Sequence, residues 1–445
     1  MHRRVTIGHL PNGVQVNCMS DKVSFVSGIG TDLGAIDDPL LKTGLVHLSE
    51  HMIARETPQM NARAMHIELR KLTGWGEAAD SDLNVRIDWL SFLLGHGLLC
   101  DARDMVSILT LLAGAYINPF MRESGLQSEK AAIHTETRIF GLDDIVSELE
   151  LALMRLVYTT NPMHRRIDSE IDELMKINHT SVIRRLFRQR LVPHRTFVNI
   201  FGPSHDKSME LARRLIGDWI AVGDNEDDNS TSSSTRERRI VVGYDGSDNF
   251  PILTEPREKE KIDPRINGYY LIMGFPIPEK LAQRDELIEM VADIIAFESF
   301  ESLRTGNFDF HTGAYRVIPV VNISFINGLM YFWTATSSKR GIEIAEAEIL
   351  RQCRRIFNGF IDPILFEALK YRKYASWTSM FRGYTDILAE EVISHIVNGD
   401  WDLKKFHTRV DKIKSLNIDK VKRMARKLFS APQGFNYAKV YFGPE

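Results

Sequence analysis

Hydrophobic positions recur along this chain with two periods, and the switches between them outline its elements. The first sixty residues predict a hairpin turning at Leu10–Val14, a strand around Phe25–Leu33, and a helix over 44–56. Apolar residues at helical spacing (Ala64, Ile67, Leu69, Leu72) predict a second helix over Met60–Leu72. Val85–Trp89 alternates as a half-buried strand does. The apolar tract Trp89–Cys100, about 12 residues, is too short to span a bilayer and reads as a buried strand running into a helix start. Asp101–Asn118 is helical, with Met105, Ile108, Leu111, Leu112 and Tyr116 on or near one side and Pro119 ending it. Runs 142–160 and 167–190 read as helices and Phe197–Gly202 as a strand. Antiparallel strands mixed with sizeable helices predict an α+β fold rather than a doubly wound sheet.

Gly223–Thr235 contains no large apolar residue, so it cannot bury enough surface to offset its ordering entropy. We read 223–239 as a flexible acidic and Ser/Thr-rich linker dividing a first unit, 1–222, from a second, 240–445. Its composition leaves a phosphorylated regulatory segment open. The second half restarts the same kind of pattern. Strands are predicted at Asn267–Phe275 and Gly328–Thr334, and helices at Arg284–Phe300, Ile342–Phe357, Ile364–Tyr374 and again after Tyr384. No sequence-identical repeat relates the halves.

Composition narrows the partners. The 445 residues are 44% hydrophobic, enough for sizeable cores, and the net charge of −3 gives no reason to expect nucleic acid or an acidic membrane. Cys18, Cys100 and Cys353 are an odd, scattered set that forms neither a disulfide framework nor a metal site. A reducing compartment follows most simply. The basic start is interrupted by Pro11, Asn12, Asn17 and Asp21 before any apolar core, so no secretory signal is visible and a cytoplasmic location is expected.

The helix over 44–56 carries the chemistry. His47, Glu50 and His51 spell H-x-x-E-H, the inverted zinc-peptidase arrangement. At about 100° per residue the two imidazoles lie within roughly 40° of each other and can reach one metal. Glu50 lies roughly 60° to the other side of His47, close enough to touch a water beside that metal without being a ligand. Three fixed positions in five also arise by chance on amphipathic helices, where they are packed histidines and a solvated charge. Downstream, Ser124–Arg138 reads as a helix on which Glu129 and Glu136, seven residues apart, share a face.

Glu129 follows His51 by 78 positions, and here the chain resembles the pitrilysin (M16) peptidases, notably short members such as mitochondrial processing peptidase. The resemblance implies that His47, His51 and Glu129 bind one Zn2+ per chain, that Glu50 is the base, and that Glu136 stands behind the ligands and orients one of them. Leu10–Val14 is similar to the family's opening hairpin, and Gly34–Pro39 with Thr43–His47 to its approach to the metal helix. Leu72–Ala78 is similar to the turn and strand that pair with substrate, although Glu77-Ala78 stands where the family usually has Asn-Ala. That assigns Glu77, Ala78 and Ala79 to substrate binding.

In the second half, Ser302–His311 resembles the family segment in which an arginine is followed seven residues later by a tyrosine that helps polarise the scissile carbonyl. Arg304 fits; His311 occupies the tyrosine's place. An imidazole can donate a hydrogen bond to an oxyanion as a phenol can, and His311 can equally be an ordinary loop or strand residue. The resemblance further implies two similar α+β units forming half of a clamshell, only the first binding metal. A chain of this length then needs a second M16-type subunit: a sister chain supplying the arginine–tyrosine pair, or a second copy. The substrate would be a peptide or unfolded precursor. A metal-binding scaffold subunit without turnover is the competing reading.

Overall fold

The computed structural model describes residues 4–20, 25–38, 44–53, 55–58, 60–73, 86–87, 92–100, 104–139, 145–164, 174–219, 246–264, 266–305, 314, 316–324, 326–383, 385–430 and 434–444. In chain order the strands are β1 (Thr6–His9), β2 (Gln15–Ser20), β3 (Phe25–Thr31), β4 (Arg86–Ile87), β5 (Phe92–Cys100), β6 (Thr196–Gly202), β7 (Arg257–Ile262), β8 (Tyr269–Pro276), β9 (Val317–Ile323), β10 (Gly328–Thr336) and β11 (Ala438–Gly443). The α-helices of the first half are α1 (Leu45–Ile53), α2 (Ala62–Thr73), α3 (Met105–Ile117), α4 (Glu123–Ile139), α5 (Ile145–Val157), α6 (Ser181–Arg190) and α7 (His205–Ile216). Those of the second are α8 (Asp285–Thr305), α9 (Lys339–Phe357), α10 (Pro363–Gly383), α11 (Thr385–Val397), α12 (Lys404–Lys414) and α13 (Ile418–Leu428).

The strands form two sheets of one design. The first runs β1-β2-β6-β3-β5-β4 and the second β7-β11-β8-β10-β9. Setting β1 aside, both have the order first-fifth-second-fourth-third. In each, the first and fifth strands are parallel (β2 with β6, β7 with β11) and every other neighbouring pair is antiparallel. The expected α+β class and the two similar units are therefore present, with one parallel pair in each sheet. A parallel pair needs a long crossover, and helices supply it.

The chain divides into two compact units that interleave in sequence. One holds 1–140, 166–243 and 378–406; the other holds 141–165, 244–377 and 407–445. Relative to a single cut at 223–239, α5 and α11 are exchanged. The segment 223–239 itself lies outside the described residues.

In the first unit the sheet is covered on both faces. Val14, Val16, Cys18, Ile29, Val198 and Ile200 join one core with residues of α1, α3, α4, α6 and α7. The opposite face buries an amide ladder. Gln15 donates to Asn17 (2.9 Å) and to the Trp401 carbonyl (2.9 Å), while Asn17 donates to Asn199, its register partner (2.8 Å). Such a ladder tolerates burial because its amides answer one another, and a register slip would orphan them. In the second unit α5 packs on β7, β8 and β11. Gly274 admits Leu153 closely, and Phe275, on the alternate face, packs on Phe429.

Two expected elements differ. Phe92–Cys100 is strand throughout, and the next helix begins only at Met105; a continuous apolar run has no alternation to separate a strand from a buried helix. The run 167–190 is not one helix in its described part. The buried Lys130 ammonium takes the carbonyls of Met175 (3.0 Å) and Ile177 (2.8 Å), and α6 starts anew at Ser181. Among the described residues, no helix is long and apolar enough to cross a membrane.

Candidate metal centre

The site begins with how α1 is started. Gly44 has φ +90°, a left-handed conformation that glycine adopts without a Cβ penalty. The buried Asp38 carboxylate accepts from Gly44 N (2.6 Å) and Val46 N (2.8 Å), satisfying two of the helix's first donors and placing negative charge at its positive end. Leu45, Val46, Leu48, Met52 and Ile53 then seat α1 in the core. This fixes the remaining face, which bears His47, Glu50 and His51.

The rings of His47 and His51 meet edge-on, centroids 5.0 Å apart. Glu50 Oε2 stands 3.9 Å from His47 Nε2. From α4, which packs on α1, Glu129 Oε2 comes within 3.4 Å of His51 Nδ1. The Glu50 side chain keeps 23% of its surface exposed, so solvent reaches it while His47 is nearly enclosed. The fold thus brings together His47, Glu50, His51 and Glu129, residues separated by up to 82 positions. Glu136 lies two turns along α4 from Glu129.

Two imidazoles and a carboxylate are the donor chemistry of a zinc-type centre, and their pairwise approach fits such a group. They are not drawn to a common point: among the described residues no group of three or more His, Cys, Asp or Glu is gathered closely enough to hold a metal ion. One Glu129 oxygen is instead engaged by Arg55, which also donates to Ser128 Oγ (2.7 Å).

α4 is held in turn. Glu123 at its first turn accepts from Thr180 N (3.0 Å) and Thr180 Oγ1 (2.8 Å), bonds that pull the carboxyl below its ordinary range. Lys130, beside Glu129, is pinned from the loop before α6, and burial lowers its pKa.

Arg304 lies in the last turn of α8 in the other unit, exposed, its guanidinium 5.4 Å over the Phe300 ring. Glu77, Ala78, Ala79 and His311 lie outside the described residues. The sequence reading missed Asp38 as the cap of α1 and Arg55 as the partner of Glu129. A signal existed for each: an Asp before Pro39 ahead of a helix, and a cation four residues after His51.

No family model and no curated protein matches the sequence. Solved structures do match. A protease from Helicobacter pylori superposes with TM-score 0.77 over 100% of both chains, at 13% identity. A protein from Alicyclobacillus acidocaldarius described as an M16-like peptidase gives 0.74 at 13% identity, over 100% of this chain and 99% of that one. The chain shares their fold. Pitrilysin gives 0.72 at 14% identity, and this chain, fully covered, spans 45% of its length. The matched structures also include the first half of the periplasmic protease PqqL from Escherichia coli, at 0.71 and 10% identity, over 99% of this chain and 92% of that one.

Proposed function

We propose that the chain is a zinc-dependent endopeptidase of the M16 family, cleaving peptides or unfolded precursor segments. The observation that carries this is the meeting of His47, Glu50 and His51 on one helix with Glu129 from another. His47, His51 and Glu129 would hold the metal, with Glu136 orienting a ligand from behind. Zinc, when bound, supplies Lewis-acid polarisation of a water and of the scissile carbonyl.

The chain's own part is proton movement and positioning. Glu50 takes a proton from the attacking water as its oxygen bonds to the carbonyl carbon. As the C–N bond breaks, Glu50 passes that proton to the leaving nitrogen. The partly exposed carboxylate suits this traffic; a fully buried one would not exchange with solvent. The peptide would lie extended beside Glu77, Ala78 and Ala79, adding a strand. Glu77 in place of asparagine adds a negative charge and favours basic residues near the cut. Arg304 and His311, from this or a second subunit, would steady the carbonyl.

An M16-type partner subunit belongs to the proposal; the chain spans 45% of pitrilysin's length. A heterodimer with an M16-type sister chain is favoured over a homodimer by His311 standing where the tyrosine is expected. A cytoplasmic setting accords with the free, buried thiols of Cys18 and Cys353. One observation favours a second reading, a subunit without turnover: the four side chains are not gathered about one point. Cleavage of a mixed unstructured peptide pool, read by mass spectrometry, separates the two. Cuts made by the wild type and absent with Glu50→Gln support the peptidase. Zinc binding by both with no cuts, alone or with any sister chain, supports the scaffold.

A further inference from the structure

Arg55 lies just beyond the end of α1, where the chain turns back through a pair of backbone bonds between Thr57 and Met60 (2.9 and 3.3 Å). Its guanidinium reaches across to α4 and makes three contacts there: Glu129 Oε1, Ser128 Oγ at 2.7 Å and the Gly125 carbonyl at 3.3 Å. The neighbouring residue forms the crossed pair: the buried Glu56 carboxylate meets Arg122 Nε at 3.3 Å. Two adjacent residues of opposite charge are therefore stitched to α4 and to Arg122, the residue just before it.

The consequence falls on Glu129. A glutamate side chain turns freely about its last torsion and can present either oxygen, both, or neither to a neighbour. Arg55 takes Oε1 and leaves Oε2 facing His51, 3.4 Å from Nδ1. We propose that Arg55 is a positioning residue that holds Glu129 ready to give one oxygen to the metal site. This rests on the zinc reading above. Its positive charge also opposes a divalent cation. That effect is limited because the charge of Arg55 is offset by Glu129 itself. Preorganisation of the ligand therefore wins. Groups that orient a metal ligand typically cost about 10–100-fold in affinity when lost.

The test is zinc affinity by chelator competition, with zinc alone as the probe. Arg55→Met removes the cation and keeps an apolar side chain, and Arg55→Lys keeps the charge on a single nitrogen, as contacts made by Nη1 alone allow. The expected result is a zinc Kd weakened about 10–100-fold in Arg55→Met and partly recovered in Arg55→Lys. In a Glu129→Gln background the Met substitution should cost almost nothing more, because the partner is gone. Affinity in Arg55→Met equal to or tighter than wild type overturns the proposal, as does an undiminished loss in the Glu129→Gln background. Wild type that binds no zinc would fail the functional reading and this inference together; wild type that binds zinc leaves the two separable.

Discussion

Asp38→Ala should loosen the start of the metal helix and be visible twice, in stability and in metal binding. The carboxylate is 4% exposed and accepts two backbone N–H groups, at 2.6 and 2.8 Å. Alanine leaves both donors buried without that acceptor, at about 1–3 kcal/mol each. It also removes a charge favourably placed at a helix N-terminus, about 0.3–1 kcal/mol. A loss of about 3 kcal/mol, towards the lower end of that sum, is the expectation. For a folding unit of 150–250 residues each kcal/mol moves Tm by about 2–4 °C, so the shift is about 6–12 °C. Asp38→Asn keeps one acceptor oxygen and should lose roughly half as much. Differential scanning calorimetry reads the melt. Because His47 is the third residue of α1, chelator competition should show weakened zinc binding in the same variant. A melt within about 1 °C of wild type together with unchanged zinc affinity would refute the reasoning.

Two further outcomes follow from other parts of the first unit. Burial alone would raise the Asp400 carboxyl, but His395 at 2.8 Å and the N–H groups of Lys405 and Phe406 at 3.0 Å outweigh it and hold the pKa at about 2. The folded value lies below the usual carboxylate range near 3.9, so the stabilisation is present above about pH 4 and is lost as pH falls through about 2. Asp400→Asn should therefore lower stability by about 2 kcal/mol at neutral pH, with the gap from wild type closing between about pH 4 and pH 2. Urea midpoints along that series check it, and a gap that stays constant down to pH 3 contradicts it. In Gly30→Ala the new Cβ would stand 2.5 Å from Leu93 Cδ2 and 2.6 Å from Phe197 Cζ, inside the sheet face that Trp401 helps cover. Overpacking of this kind costs about 1–3 kcal/mol, so calorimetry should show a lowered Tm; an unchanged one means the layer is looser than described.

Local pattern carried much of the fold and part of the site. The spacing of Ala64, Ile67, Leu69 and Leu72 and the stripe from Met105 to Tyr116 announce α2 and α3, because periodicity within one element is written in neighbouring residues. His47, Glu50 and His51 are legible for the same reason. What escaped is non-local. The shared strand order of the two sheets is set by pairings such as Asn17 with Asn199, 182 residues apart, and no repeat of sequence marks it. β7 was not anticipated because its residues, Arg257 to Ile262, are those of an exposed edge strand. The break before Ser181 depends on Lys130 reaching carbonyls 45 and 47 positions on. Arg55 escaped because its role is fixed by a turn after α1 and a helix 70 residues away, not by its own neighbours.

The central claim is that His47, His51 and Glu129 hold a metal which Glu50 serves as base without being a ligand. Metal analysis of three purified chains, exposed to excess zinc and then desalted, tests it most directly. One zinc per chain is expected in the wild type and in Glu50→Gln, and a small fraction of that in His51→Ala. Zinc lost from Glu50→Gln, retained in His51→Ala, or absent from the wild type would contradict it.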